Sequence, residues 1–572
     1  MIDYKELVAK AIYDAGVGLE LPEIMDVVEV PADDKMGDYA FPCFKLAKVL
    51  RKAPPMIAKD IAEKLQGNPI FAKVEQVNAY VNMFMSKEEF IKSVLSEVIE
   101  KGEGYGRSDL GGGKTVIVEY SSPNIAKPFH IGHIRSTVIG NAIYKLYDAL
   151  GYKTVRINHL GDYGTQFGKM ICAYRHWGNE EDVKREPIKT LLEYYTKFHV
   201  EVETHPELDD EAREIFVKLE KGEPEEVRLW QWFRDESLKE FNRVYDMLGI
   251  TYDSYAGESF YSDKMPAIEK ELEEKGLMKE SEGAMIVDLE PYGMPPALIK
   301  KSDGSSLYIT RDLAAANYRK DHYDFYKNLY IVASQQNLHF QQWIKILELM
   351  GRPWARDCVH IPFGLVSLED GTMSTRHGRV VFLEDVLNRA VEKTKEIILE
   401  KNPNAENVDE IAKAVGIGAV IFQELSNSKI KDYVFSWNKV LNFEGETGPY
   451  VQYAHARACS VLRNAGDDVV AKAKNVGALD MSYLTGESAY KLAKELYDFP
   501  AAIVEAAEKY EPSILTRHIV DIAQSFNKFY YDEHILVDNE DEKLAKIALV
   551  SAAKATLAAG LGLLGIKAPE KM

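Results

Sequence analysis

The sequence predicts a multidomain α/β protein: along the chain, an N-terminal α/β domain, a catalytic domain with a Rossmann-like parallel nucleotide-binding sheet, and a C-terminal all-helical bundle. Three observations predict it. The 572 residues exceed a typical domain of roughly 150 residues several times over. From Thr115 an apolar strand, a loop, an amphipathic helix and a second strand follow in βαβ order. Beyond about Asn438 the apolar spacing is almost entirely helical.

The domain boundaries follow changes in composition. Residues 1–105 alternate short helix and strand patterns and end at a glycine-rich linker. Residues 106–437 form the predicted catalytic domain, and an acidic segment at about 178–285 reads as an insertion into it. Residues 438–572 form the predicted helical domain.

Within the catalytic domain, the run TVIVEY from Thr115 is typical of a buried strand. The segment IGHIRSTVIGNAIYKLYDAL then has a helical apolar period, with Gly151 as its stop, and TVRINHL is the next strand. LYIVAS and VHIPFG, after the insertion, are expected to complete the sheet. A helical crossover of this length implies parallel strands.

Composition and charge exclude several classes of protein. With 70 Lys and Arg against 90 Asp and Glu, the net charge of −20 argues against a polybasic coat protein, although a local basic track for nucleic acid remains compatible with it. The four cysteines are widely spaced, so we expect neither disulfides nor a structural zinc site. No secretory signal is apparent, and Lys554 interrupts the most apolar stretch, so we expect a cytoplasmic protein without a membrane span.

The most specific motif is SSPNIAKPFHIGH, in which His130 and His133 flank Ile131 and Gly132 where a loop enters a helix. A helix N-terminus offers free backbone N–H groups and the positive end of the helix dipole to a polyphosphate. Imidazoles there can donate to phosphoryl oxygens, and Gly132 lets a flat base approach the backbone. From the string alone, an alternative to phosphate binding remains: the two histidines cap the helix, pack against it or bind a metal.

A second segment, GTMSTRHGR at 371–379, is rich in hydroxyl groups and cations and follows the later strands. Such a loop suits the binding of a triphosphate. Together the two segments favour a nucleotide-binding enzyme.

These motifs, with NHLGDYGTQFGK, LYITRDLAAA, ASQQNLHF and FEGETGPYVQYAHARA, resemble arginyl-tRNA synthetases of class I over essentially the whole chain. The chain departs from the K-M-S-K-S loop of the class, because Thr372 and Thr375 stand where lysines are usual. The resemblance implies that Lys127 supplies the missing charge, and Arg376 is a second candidate.

The resemblance also implies a set of site residues. For catalysis they are Lys127, His130 and His133, and the signature motif comprises Ser122, Pro123, Asn124, His130, Ile131, Gly132 and His133. For ATP they are Gly132, His133, Met373, Ser374, Thr375 and Arg376. For arginine they are Glu119, Asn124, Tyr308, Asp312 and Gln336, and for tRNA the candidates are Tyr450, Arg457 and Tyr530.

The arginine set agrees with chemistry, because a planar, permanently charged guanidinium needs carboxylates and other acceptors. Tyr308 and Asp312 share one face if their segment is helical. Taken singly, these residues have simpler explanations: Asp312 is then a first-turn acid after a Thr310 cap, and Tyr308 a core residue.

The implied reaction converts ATP, L-arginine and tRNA(Arg) to AMP, diphosphate and arginyl-tRNA, through arginyl-adenylate and attack by the tRNA 2′-hydroxyl. ATP would carry Mg²⁺, no protein metal site is expected, and the protein is expected to be a monomer. Two other classes remain open at this point. One is a small-molecule nucleotidylyltransferase, and the other is a catalytically inactive, synthetase-like RNA-binding or regulatory protein.

Overall fold

A computed structural model describes residues 3–301, 308–368, 381–436, 440 and 445–572. The chain divides into two compact units. The first unit comprises Met1–Tyr105, Ala454–Phe499 and Asp521–Ala559. The second comprises Gly106–Tyr453, Pro500–Val520 and Gly560–Met572.

The N-terminal part of the first unit is an α/β module. Its helices are α1 (Tyr4–Asp14), α2 (Leu21–Val27), α3 (Leu46–Leu50), α4 (Pro54–Leu65) and α5 (Lys87–Lys101). Its strands β1 (Tyr39–Pro42), β2 (Phe71–Val77) and β3 (Tyr80–Met85) form an antiparallel sheet in the order β1-β3-β2. Side chains cap the N-termini of two of these helices: that of Asp3 caps α1, and that of Ser86 caps α5.

The second unit begins with the predicted βαβ crossover. Strand β4 (Thr115–Glu119), helix α6 (Ile134–Ala149) and strand β5 (Lys153–Ile157) follow one another, and β4 pairs with β5 in parallel. Gly151 follows the helix with a φ of 79°, a backbone conformation that favours glycine over other residues. The expected helix stop is therefore confirmed.

The chain after β5 is largely helical. Helix α7 (Gln166–Trp177) precedes the acidic segment, whose helices are α8 (Glu180–Arg185), α9 (Pro187–Glu201), α10 (Glu207–Glu220), α11 (Pro224–Leu248) and α12 (Met265–Glu274). Between α11 and α12 the chain returns to the sheet, where Asn158 donates its backbone N–H to Ser254 at 2.9 Å. Strands β6 (Met278–Ser281), β7 (Ala284–Val287) and β8 (Ala297–Lys300) then form a small antiparallel sheet.

The parallel sheet is completed after this segment, as predicted. Helix α13 (Tyr308–Tyr323) leads to strand β9 (Lys327–Ala333), and helix α14 (Asn337–Leu349) leads to strand β10 (Cys358–Phe363). The strand order is β10-β9-β4-β5, so β4 lies between the first crossover and the later strands. The carboxyl end of β4 is thus the point at which strand order changes direction, where open α/β sheets bind ligands.

Strand β11 (Val366–Leu368), helices α15 (Leu383–Lys401) and α16 (Val408–Ser426), and strand β12 (Tyr433–Phe435) follow, and β11 pairs with β12 in parallel. The remaining helices are α17 (Gly448–Ala465), α18 (Asp467–Ala473), α19 (Glu487–Glu508), α20 (Ser513–Asp532) and α21 (Glu540–Leu563). These confirm the predicted helical C-terminal part of the fold.

Parts of these late helices complete the core of the first unit. The ring of Tyr4 packs against Phe90 and Tyr497, and the hydroxyl of Tyr105 donates to the carbonyl oxygen of Leu496 at 2.9 Å. Buried aromatic rings therefore join the N-terminal module to α19 within this unit.

Helix α21 is long and apolar enough to cross a membrane by length and composition. However, 72% of its most apolar window is buried inside the protein, as is usual for the central helix of a bundle.

Candidate active site

The H-I-G-H segment forms a tight turn into α6. Residues Ile131–His133 make one turn of 3₁₀ helix, and His130 precedes it with extended backbone angles. The Nδ1 atom of His130 accepts the backbone N–H of Gly132 at 3.1 Å, and Nδ1 of His133 accepts the N–H of His130 at 3.1 Å. The two imidazoles therefore cap the helix start reciprocally. Capping, which the sequence left as an alternative to catalysis, is present in the structure.

This capping fixes the tautomer of His130. Because its Nδ1 accepts a hydrogen bond, the neutral ring carries its proton on Nε2. Nδ1 of His133 lies 3.1 Å from the backbone N–H and 3.3 Å from the carbonyl oxygen of His130, so either tautomer of that ring makes a hydrogen bond there. Burial lowers the pKa of His130, and burial and the neighbouring His130 lower the pKa of His133 to about 3. Both imidazoles are neutral near pH 7, and the Nε2–H group of His130 can donate to an anion.

The loop between β4 and this turn has strained backbone angles. Ser121, Ser122 and Ala126 have φ values of 70°, 47° and 56° without being glycines. Such angles cost roughly 1 to 3 kcal/mol each and persist only where surrounding contacts fix them.

Hydrogen bonds hold the strained loop in place. The hydroxyl of Thr137 donates to Ser121 Oγ at 2.8 Å, and Ser121 Oγ lies 2.8 Å from the hydroxyl of Tyr245. Ser237 Oγ accepts the backbone N–H of Ala126 at 3.1 Å. Tyr245 and Ser237 both belong to α11, so a helix of the acidic segment fixes the signature loop.

Asn124 is placed by the G-D-Y-G turn. The backbone N–H of Ile125 donates to Gly161 at 3.2 Å, and that of Gly161 donates to Pro123 at 3.1 Å. A β-carbon on Gly161 would overlap Oδ1 of Asn124. The turn therefore needs glycine so that the Asn124 amide can fit at the carboxyl edge of the sheet.

Asp162, beside this turn, is a buried anchor. Its carboxylate accepts from Arg234 Nε at 3.1 Å and from both the backbone N–H and the hydroxyl of Ser259 at 2.9 Å. The bonds to Ser259 fix the residue that follows Glu258, which is itself only 7% exposed.

Three carboxylates, from Glu119, Glu258 and Asp312, form a cluster near the end of β4 that we call the acidic pocket. Glu119 ends β4, and Asp312 lies on α13 one helical turn after Tyr308, as predicted. Glu258, which lies in the predicted insertion, is the third. Burial raises its pKa to about 7, with Arg311 opposing the shift and Asp312 and Asp162 adding to it. The negative charges of Asp312 and Asp162 therefore act on the Glu258 carboxyl and help to raise its pKa.

Each of these carboxylates has a basic partner. The closest approaches are 2.5 Å from Glu119 Oε2 to Arg319 Nη1, 3.3 Å from Glu258 Oε2 to Arg311 Nη1, and 2.5 Å from Asp312 Oδ2 to His339 Nε2. The pocket therefore does not carry three uncompensated charges.

Two further members of the predicted arginine set lie at element starts. Tyr308 begins α13 and its side chain is 62% exposed, with the Arg311 guanidinium 5.7 Å from its ring centre. Electrostatic contacts with Glu258 and Asp312 help to raise the pKa of Tyr308, although burial is the main cause. Gln336 is exposed in a short turn after the carboxyl end of β9.

Lys127 is exposed on the loop before His130. Among the residues that the structure describes, it has no hydrogen bond or salt bridge. Partial burial lowers the pKa of its ammonium, and Glu258 acts in the opposite direction. Its charge is therefore available to a ligand at the start of α6.

The predicted ATP residues Met373, Ser374, Thr375 and Arg376 lie outside the described residues, as does Thr372. The chain after these residues contacts the H-I-G-H segment: the backbone N–H of Ile131 donates to Val381 at 3.1 Å, and that of Leu383 donates to Phe129 at 2.9 Å. Strand β11 precedes them and ends at Leu368. The H-I-G-H turn is thus hydrogen-bonded to the chain that follows the second signature.

Arg135, two residues after His133, hydrogen-bonds α6 to the segments around Gly364 and Lys431. Its fully buried guanidinium donates to the carbonyl oxygens of Gly364 at 2.9 Å and Lys431 at 2.8 Å, and stacks over the ring of Tyr433. Its Nε atom lies 3.5 Å from Glu424. Burial raises the pKa of the Glu424 carboxyl to about 8, and Arg135 opposes that shift.

Of the tRNA candidates, the structure brings Arg457 and Tyr530 together. The guanidinium of Arg457 lies 5.1 Å from the centre of the Tyr530 ring and donates to Asn527. Tyr530 is 42% exposed, so a base could stack on its ring. Arg457 and Tyr530 belong to the first unit, whereas Tyr450 belongs to the second unit, where it lies at the start of α17 and is half-buried.

One side-chain group in the second unit has the spacing of metal ligands. Ligand atoms of Cys172, His176 and Glu211 lie within 4.8 Å of one another. His176 Nε2 lies 2.9 Å from Glu211 Oε2, so a hydrogen bond already accounts for the proximity of that pair.

Sequence reasoning missed Glu258, Arg311, Arg319 and His339. Glu258 lies in a segment with many acidic residues, and the sequence pattern there is typical of solvent-exposed helix faces. The other three were visible, since Arg311 immediately precedes Asp312, Arg319 lies seven residues after it, and His339 ends the string ASQQNLH. Their partners could not be inferred from spacing.

Comparisons with known proteins match three parts of the chain to family models. The chain matches the family model described as "tRNA synthetases class I (R), catalytic domain" over residues 94–437. It also matches "Arginyl tRNA synthetase N terminal domain" over 3–85 and "DALR anticodon binding domain" over 451–572.

Similar proteins cover the full chain. Proteins named arginine–tRNA ligase from Halothermothrix orenii and Clostridioides difficile are each 59% identical over 572 residues, with all of both chains covered. The solved structure of Thermus thermophilus arginyl-tRNA synthetase is 27% identical, with a TM-score of 0.78 over 99% of this chain and 100% of its own. The resemblance read from the motifs is confirmed, and the chain belongs to the arginyl-tRNA synthetase family of class I synthetases.

Proposed function

We propose that this protein ligates L-arginine to tRNA(Arg), with ATP as the energy source, in the acidic pocket and at the adjoining H-I-G-H turn. The observation that carries the proposal is the juxtaposition of two chemistries at the carboxyl edge of one sheet. Carboxylates suited to a guanidinium lie near the end of β4, and two neutral imidazole donors lie at the start of the helix that follows β4.

The pocket selects arginine by charge and shape. A guanidinium presents five N–H donors in one plane, so several acceptors at different angles recognise it better than they recognise an ammonium. Asp312 and Glu258 are assigned to the guanidinium, with Tyr308 beside them. The amino and carboxyl end of the substrate is assigned to Glu119 at the end of β4, Asn124 in the signature loop and Gln336 in the turn after β9.

In the first step the arginine carboxylate attacks the α-phosphorus of ATP, and diphosphate leaves. No strong base is needed, because the nucleophile is already ionised. Catalysis comes from alignment of the reactants and from donors aimed at the phosphoryl oxygens. The Nε2–H group of His130, the imidazole of His133, the N-terminus of α6 and the charge of Lys127 supply these donors.

In the second step the 2′-hydroxyl of the terminal tRNA adenosine attacks the arginyl carbonyl carbon, and AMP leaves. The hydroxyl loses its proton as the new ester bond forms, and the departing phosphate is a suitable acceptor for it. Residues 372–376 are assigned to the triphosphate by their sequence, and Mg²⁺ accompanies ATP through its phosphates.

The remaining parts of the chain are assigned to tRNA. Residues 438–572 are assigned to the anticodon, with Tyr450, Arg457 and Tyr530 as candidate contacts, and residues 1–105 to the body of the tRNA. We assign a cytoplasmic, monomeric enzyme. Its curated relatives are named as ligases, and no observation favours a catalytically inactive role.

The proposal is tested by charging purified tRNA(Arg) with radiolabelled arginine, using the wild-type chain and the Asp312→Asn variant. Loss of one carboxylate charge should reduce kcat/KM for arginine roughly 30-fold, equivalent to about 2 kcal/mol. Equal kcat/KM in the two proteins would show that Asp312 does not bind the guanidinium. A wild-type chain that charges no tRNA with arginine would refute the proposed function.

A further inference from the structure

Arg135 lies where the H-I-G-H helix meets the chain that leads to the second signature. Its guanidinium, on the first turn of α6, is fully buried and donates through Nη1 to the carbonyl oxygens of both Gly364 and Lys431. Gly364 precedes β11 and Lys431 precedes β12, and these two strands pair with each other. One side chain therefore bridges the two chains where they enter the strand pair.

The two chains make close contact at this junction. The backbone N–H of Gly364 donates to Lys429 at 2.8 Å, and that of Leu365 donates to the Asp432 carboxylate at 2.6 Å. A β-carbon on Gly364 would lie only 2.6 to 2.8 Å from atoms of Asp432 and Lys431, so a side chain there would push the two chains apart. The spacing of the chains at this point is therefore tightly determined.

The start of α6 is also bonded to the chain on the far side of the second signature. Strand β11 ends at Leu368, and residues 372–376 follow it in the sequence. Beyond them, Val381 accepts the backbone N–H of Ile131 at 3.1 Å. The H-I-G-H region is thus hydrogen-bonded to the chain both before and after the second signature, and Arg135 makes the bond before it.

We propose that Arg135 is a positioning residue for ATP in the activation of arginine. Its guanidinium sets the distance between the start of α6, which is assigned to the phosphates, and the strand pair that precedes residues 372–376. Because small displacements of groups that align reactants are costly, a shift of this strand pair should impair the use of ATP. The arginine pocket is built on β4 and α13, outside this junction, and should be affected less. This inference rests on the function proposed above.

A purely structural role for Arg135 predicts a different kinetic result. If this side chain only stabilises the fold, its loss reduces the amount of folded enzyme, which lowers the apparent kcat. The KM values of the molecules that remain folded would then be those of the wild type. A positioning role raises the KM for ATP in the folded enzyme and leaves the KM for arginine nearly constant. The comparison of the two KM values therefore separates the two roles.

Two substitutions disturb the junction from different sides. Arg135→Lys keeps a positive charge beside Glu424, whose Oε2 lies 3.5 Å from Nε of Arg135, but replaces the planar guanidinium by a single ammonium. Gly364→Ala retains Arg135 and forces the two chains apart. The matched controls are Arg517→Lys at an exposed position on α20 and Gly562→Ala, where a β-carbon meets no atom within 4 Å.

The measurement is ATP–pyrophosphate exchange by the full-length proteins in the presence of tRNA, with ATP and arginine varied in turn, below the unfolding midpoint of each protein. Both junction variants should raise the KM for ATP roughly five- to tenfold and leave the KM for arginine within about twofold. Both controls should keep the wild-type values of the two constants.

An unchanged KM for ATP in folded Arg135→Lys, or an equal rise of both KM values, would overturn the inference. If Arg135→Lys does not fold, the same two results in Gly364→Ala decide the question. Either result leaves the proposed function standing as long as the wild type activates arginine and charges tRNA(Arg) with it. A wild type that does neither would overturn both.

Discussion

The amide oxygen of Asn124 lies in the space that a β-carbon on Gly161 would occupy. Two backbone hydrogen bonds hold the segments together, from Ile125 to Gly161 and from Gly161 to Pro123. The strained signature loop is therefore locked to the turn after β5, and the position of Asn124 depends on the absence of a side chain at residue 161.

Gly161→Ala should displace Asn124 and reduce kcat/KM for arginine at least tenfold, because small misplacements of substrate-orienting groups are costly. The measurement is steady-state tRNA charging, with the thermal midpoint recorded alongside. Gly562→Ala is the control, since a β-carbon there meets no atom within 4 Å. An active Gly161→Ala enzyme with unchanged KM would show that Asn124 does not contact the substrate.

Glu258→Gln should raise the KM for arginine roughly 30-fold at pH 8, about 2 kcal/mol, because the carboxylate charge toward the guanidinium is lost. The wild-type carboxyl has a pKa of about 7, so it is ionised above that pH and becomes neutral as the pH falls through it. The KM of the wild type should therefore rise below pH 7, and that of Glu258→Gln should rise less. If both pH profiles coincide, Glu258 lies outside the arginine site.

Lys127→Ala should slow arginyl-adenylate formation about a hundredfold without changing the unfolding midpoint, because the ammonium is exposed and has no described partner. ATP–pyrophosphate exchange in the presence of tRNA measures this step. Lys413→Ala, an exposed lysine on α16, is the control. Normal exchange by Lys127→Ala would refute the idea that this lysine replaces a missing K-M-S-K-S lysine.

Arg135→Lys should destabilise the protein by about 2 to 4 kcal/mol, since one ammonium cannot replace a guanidinium that bonds several buried carbonyl oxygens. The urea-unfolding midpoint measures the loss. Arg517→Lys, an exposed site on α20, should leave it unchanged. Equal midpoints in both variants would contradict the assigned packing role.

The sequence predicted the architecture well where a single physical rule applied. The apolar run from Thr115, the helical period after His133 and the stop at Gly151 define a βαβ unit by local pattern, and the structure confirms it. The family likewise followed from motifs whose residues are adjacent in the chain.

The pocket was only partly predictable, because its pairs join distant segments. Arg311 lies 53 residues from Glu258 (311 − 258) and Arg319 lies 200 from Glu119 (319 − 119), so no periodicity relates them. Acidic composition also concealed Glu258, since a buried acid and a solvated acid look alike in a sequence. Burial and tertiary contacts separate the two, and both require the fold.

The most direct measurement is charging of total tRNA with each radiolabelled amino acid in turn, with ATP and Mg²⁺, followed by sequencing of the charged tRNA. The proposed function predicts that arginine alone is attached, that the product is tRNA(Arg), and that omission of ATP abolishes the reaction. Attachment of a different amino acid, or adenylyl transfer to a small molecule without charging of any tRNA, would contradict it.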